Sequence, residues 1–78
     1  MKRIIHVRIF KGDEFYVAEA PDISVVTQGT TLDELTENLK EAIGLALEGE
    51  NLAELGFIDQ PGILATIELD PPVLDAKA

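Results

Sequence analysis

Thr30-Thr31-Leu32-Asp33-Glu34-Leu35 is the point at which the hydrophobic period of this 78-residue chain changes. In the segments before it apolar residues recur at every second position, the repeat of a half-buried strand. From Leu32 onward they recur at three- and four-residue steps, the repeat of an amphipathic helix. Leu32, Leu35, Leu39, Ala42, Ile43, Ala46 and Leu47 make the apolar stripe, and Asp33, Glu37, Lys40, Glu41 and Glu48 occupy the other faces. Thr31 followed three residues later by Glu34 fits a capping box, in which each side chain satisfies a backbone N–H that the first helical turn leaves without a partner. Gly49 is placed to stop the helix at C′. Gly44, inside it, costs about 1 kcal/mol relative to alanine unless close packing needs it. Thr31, Glu34 and Gly29 are therefore read as structural, the first two as the cap and Gly29 as the strand-to-helix turn.

Toward the amino end, Arg3 to Phe10 alternates, with Ile5, Val7 and Ile9 on the core face and Ile4, His6, Arg8 and Phe10 on the other. Lys11-Gly12-Asp13 is turn chemistry, and Glu14 to Ala20 completes a hairpin. Pro21-Asp22 interrupts the ladder because proline has no N–H to donate, and Ile23 to Gln28 resumes as a third strand. Toward the carboxyl end, Asn51 to Gly56 suits one short helical turn. Gln60-Pro61-Gly62 is a turn signal before a fourth strand, Ile63 to Leu69, which Asp70-Pro71-Pro72 ends. The order is β-β-β-α-β, an α+β domain over residues 1–70 with a tail over 71–78. One helix packs on one sheet face, and the last strand runs parallel to the third. The opposite face, with Ile4, Phe10, Tyr16, Val26 and Leu64, is too apolar to be left wet, which predicts a homo-oligomer, a dimer or a tetramer.

Fifteen acidic residues against six basic ones give a formal net charge of −9. That balance opposes nucleic-acid binding, whose affinity comes mainly from Lys and Arg neutralising phosphates, and suits a basic protein partner. Four of the basic residues, Lys2, Arg3, Arg8 and Lys11, gather in the first strand. Zero cysteines and one histidine exclude disulfides and a Cys/His zinc site. His6 has no serine, cysteine or orienting carboxylate placed beside it, so a nucleophile-base pair is not expected. A two-metal carboxylate site is not expected either, since the first strand carries no Asp or Glu at its centre and the helix acids lie on the outer face. The reading is of a non-enzymatic protein with neither metal nor cofactor. Charge interrupts the start too soon for a signal peptide, and no apolar run approaches the roughly 20 residues of a spanning helix, so a cytoplasmic location without a membrane partner is expected.

Three segments together carry a family resemblance: Tyr16-Val17-Ala18-Glu19-Ala20-Pro21-Asp22, then Thr27-Gln28-Gly29-Thr30-Thr31-Leu32-Asp33-Glu34, then Asn38-Leu39-Lys40-Glu41-Ala42-Ile43. In order and spacing they resemble the HicB-like antitoxins. The resemblance implies an incomplete ribonuclease-H-like fold and neutralisation of a small basic HicA-type toxin, which cleaves messenger RNA using a histidine, by covering its active or RNA-binding surface. Two departures stand out. Ile23-Ser24-Val25-Val26 lacks the Pro-Gly that the family often shows there. No basic recognition element follows the fourth strand, where many members carry a ribbon-helix-helix or helix-turn-helix domain, so autonomous specific DNA binding is not expected. Tyr16, Asp22, Gln28 and Asn38 are the candidate partner-binding residues. Asp22 either orients a partner arginine or caps its own turn. Asn38, a mediocre helix former, either bonds a neighbouring loop or meets a partner. The alternative function is a stand-alone homo-oligomeric protein of regulatory role.

Overall fold

The computed structural model describes residues 1–73. Strands β1 (Lys2–Lys11), β2 (Tyr16–Ala20) and β3 (Val25–Gly29) precede helix α1 (Leu32–Leu47) and strand β4 (Phe57–Ile67). A 3-10 turn over Pro21–Ile23 joins β2 to β3. The four strands form one mixed sheet in the order β3-β2-β1-β4, antiparallel from β3 to β1 and parallel between β1 and β4. The α+β class and the β-β-β-α-β order follow the expectation from periodicity. Of the expected tail, residues 71–73 carry no regular structure, and 74–78 lie outside the described residues.

Alternation places the core. Ile5, Val7 and Ile9 of β1, Ala18 and Ala20 of β2 and Val25 of β3 are buried on one face, closed over by Leu35, Leu39 and Ile43 of α1. Those three helical residues are spaced four apart, so they line one side of the helix. Small alanines on β2 let α1 approach closely, and the helix sits over β3 and β2. It does not cover the whole face, as periodicity alone suggested. Ile63, Ala65 and Ile67 of β4 are in register with Ile5, Val7 and Ile9 on the same side of the sheet, yet all three are exposed. Leu32 at the start of the helical stripe is exposed too, because it precedes the first full turn over the sheet.

The helix starts as its sequence dictates, with one adjustment. Thr31 is the N-cap, and its hydroxyl accepts from the Glu34 N–H at 3.1 Å. The Glu34 carboxylate reaches one residue further back than a reciprocal box requires. It accepts from the Thr30 N–H at 3.2 Å and the Thr30 hydroxyl at 3.0 Å. At the other end Gly49 follows the C-cap Glu48 with φ of +76°, the left-handed conformation that glycine adopts at C′ without steric cost. Gly44 is different. A methyl group added there meets nothing within 4 Å. Gly44→Ala therefore raises stability by about 1 kcal/mol, read as a higher urea midpoint with an unchanged slope.

Several boundaries move. β3 runs Val25–Gly29 and not Ile23 to Gln28, because Pro21–Ile23 is taken into the 3-10 turn, and β1 extends one residue further at each end than expected. β2 begins at Tyr16 and not Glu14, since the Gly12 N–H donates to the Phe15 carbonyl at 2.7 Å and closes the turn over 12–15. β4 begins at Phe57 and ends at Ile67. Gln60-Pro61-Gly62 is an irregularity within β4, where β1 advances from Lys2 to Ile4 while β4 advances from Phe57 to Gly62. Residues 51–56 form the expected helical turn, and Asn51 holds it by accepting from the Ala53 and Glu54 N–H groups at 3.0 and 3.4 Å.

Candidate protein-interaction surface

Gln28 and Asn38 are brought together. Asn38 Nδ2 donates to the Gln28 carbonyl at 2.9 Å, which ties the second turn of α1 to β3 and accounts for asparagine at a helical position. Next to this bond lies an open groove of about 260 Å³ between β3 and α1, lined by Thr27, Asn38, Glu41, Ala42 and Leu45. Leu45 is 64% exposed. Along the outer side of α1, Asp33, Glu37 and Glu41 recur every fourth residue, all exposed, and Glu48 continues the acidic ridge. Lys40 lies 3.8 Å from Glu37 and offsets part of that charge.

Tyr16 and Asp22 lie elsewhere. Tyr16 pairs with Gly29 across β2 and β3, and it packs half-buried against the core on the helix side. The expected placement on the open face is thus corrected: β2 alternates Tyr16, Ala18 and Ala20 inward, and a shift of one residue exchanges the faces. The ring lies under the Lys11 ammonium at 6.0 Å, beside the Thr30–Asp33 turn. Asp22 neither caps its own turn nor stands free. Its carboxylate lies 3.6 Å from the Lys2 ammonium, and the turn is closed by the Ser24 N–H donating to the Pro21 carbonyl. Ser24, in the stretch without the Pro-Gly, takes φ of +55°.

The face opposite α1 presents Ile4, His6, Arg8 and Phe10 of β1 beside Val17 and Glu19 of β2 and Leu64 and Thr66 of β4. Arg8 is shared between Glu19 at 3.1 Å and Glu68 at 3.5 Å and lies over the Phe10 ring at 4.6 Å. At the amino end of this face Lys2, Arg3, Ile4, His6 and Asp22 line an open cleft of about 400 Å³. Sequence reasoning missed the β3–α1 groove, because Leu45 stands off the apolar stripe and only the turn of the helix brings it beside Thr27. Among the described residues no three His, Asp or Glu side chains stand close enough together to hold a metal ion, and no helix is long and apolar enough to cross a membrane. Comparison with protein-family models, with curated proteins and with solved structures finds no match.

Proposed function

We propose that this chain is a non-enzymatic protein-binding module of the HicB-like antitoxin type, which neutralises a small basic, mRNA-cleaving HicA-type toxin by direct binding in the cytoplasm. The observation that carries the reading is the acidic ridge Asp33, Glu37, Glu41 and Glu48 running beside the exposed Leu45 groove. A ridge of one sign on a rigid helix steers a basic partner into encounter, and an apolar side chain at its edge supplies the desolvated contact that long-range charge alone does not. The strand order, with β4 joined in parallel to β1, supports the incomplete ribonuclease-H-like fold that the family resemblance implies. Asn38 lines the groove and is held by the Gln28 carbonyl, while Tyr16 and Asp22 act on the fold and not on the partner. Specific DNA binding by this chain alone forms no part of the proposal.

The test is co-purification with the small basic product of an adjacent gene, followed by RNA cleavage with and without this protein. A stoichiometric complex that abolishes cleavage is expected. Glu37→Lys with Glu41→Lys weakens that complex at least tenfold and flattens its salt dependence, since the ridge changes sign at its centre. Unchanged affinity in the double variant defeats the assignment of the ridge. A second reading, a stand-alone homo-oligomer of regulatory role, is favoured by the apolar exposure around β4.

A further inference from the structure

Ile63-Leu64-Ala65-Thr66-Ile67 has the near-continuous apolar composition of a strand buried on both faces, yet β4 is an edge of the sheet. Both its faces are open. On the helix side Ile63 and Ile67 remain 44% and 40% exposed, and on the other side Leu64 is 47% exposed beside Ile4. A sheet edge offers a row of unpaired N–H and C=O groups, which proteins ordinarily guard with charge, proline, a bulge or a covering element. Among the described residues β4 carries such guards at Pro61 and the register shift, and none from Gly62 to Ile67. The opposite edge is better protected: β3 is five residues long, α1 lies beside it, and Asn38 binds one of its carbonyls.

We propose that β4 pairs antiparallel with β4 of a second copy of this chain about a two-fold axis, joining two four-stranded sheets into one of eight. Charge selects this occupant. Each copy carries −9, so self-association requires a contact free of acids, and Gln60–Ile67 contains no charged residue. With the axis at Ala65, Ile63 faces Ile67 of the other copy and Glu68 faces Gly62, so no carboxylate opposes another. The two helices then stand on the same side of the joined sheet, and Ile63, Ala65 and Ile67 of both copies line the trough between them. Exposed apolar side chains flank the edge on both faces, Ile63 and Ile67 on the helix side and Leu64 on the other, and pairing sets each beside apolar residues of the second copy.

The experiment uses the chain by itself, so its outcome is independent of any toxin. Sedimentation equilibrium at 100 µM is expected to give twice the chain mass of 8.5 kDa. Leu64→Lys with Ile67→Lys, both at exposed positions, raises the dissociation constant at least a hundredfold while the far-ultraviolet circular dichroism is retained. In the cysteine-free chain, Ala65→Cys forms a covalent dimer on mild oxidation and Thr27→Cys on β3 does not. A wild-type mass of one chain, a dimer that survives the double lysine variant with its fold intact, or cross-linking through Thr27→Cys in preference to Ala65→Cys overturns the proposal.

Discussion

Gly29→Ala costs this domain about 3 kcal/mol, the upper part of the range for overpacking a tight core, and lowers its melting temperature by more than about 10 °C. The position is buried at the end of β3. A methyl group there stands 2.6 Å from the Leu35 nitrogen and 2.8 Å from its Cα. Both are backbone atoms of the first helical turn, so no rotamer change relieves the clash, and the helix must lift off the sheet. Lifting it opens the contact between Leu35 and the sheet and strains the Thr30, Thr31 and Glu34 cap. The check is a urea titration against wild type, with Gly44→Ala as the companion that moves the other way. A Gly29→Ala variant within 1 kcal/mol of wild type shows that the helix yields easily at this point.

Phe57→Ala costs about 4 kcal/mol, as complete removal of a buried aromatic ring does. For a domain of this size, with a total stability of roughly 4–12 kcal/mol, that removes at least about a third of the margin. Phe57 is 1% exposed and is among the largest fully buried side chains, with Ile5 and Leu35. Its ring closes the end of the core that α1 leaves open. Its N–H donates to the Leu52 carbonyl at 2.8 Å, and the Lys2 ammonium lies 5.3 Å from the ring centre. Truncation leaves a cavity that the 51–56 turn cannot fill, because Asn51 and its hydrogen bonds hold that turn in shape. Phe57→Leu keeps most of the volume and is expected to lose no more than about 1.5 kcal/mol. Chemical denaturation of the two variants separates cavity formation from loss of the ring as such.

Where the two periodicities are clean, the chain declares its structure. The inward set Ile5, Val7, Ile9, the helix from Leu32, the Thr31 cap and the Gly49 stop follow from local rules that tertiary packing does not override. Phe57 was illegible for the opposite reason: it stands alone between Gly56 and Ile58-Asp59, with no alternation around it, and only the register of β4 on β1 seats it in the core. The start of β4 was hidden by Gln60-Pro61-Gly62, which locally spells a turn but is absorbed as a register shift in the parallel pair. Tyr16 lies in Phe15-Tyr16-Val17, where every residue is apolar or aromatic, so the sequence does not choose between faces; the closing of the 12–15 turn does. The four candidate partner residues do not form one site for a similar reason: Gln28 and Asn38 meet, while Tyr16 and Asp22 lie apart from them. Asp22 and Asn38 have the residue types of recognition sites, but Lys2 and the Gln28 carbonyl already occupy them. The exposed groove beside Leu45 depends on how far α1 reaches across the sheet, a quantity that no periodicity encodes.

The strand order carries a consequence for how the chain assembles. β1 meets β2 across a turn of a few residues, whereas Ile5 meets Ile63 only after the rest of the domain has been threaded between them. Loop-closure entropy grows with the logarithm of the intervening length, and long-range parallel pairing is correspondingly slow. The meander and α1 are thus an early, local unit, and β4 arrives last, zipping along a β1 edge that must wait exposed until Phe57 locks the end of the core.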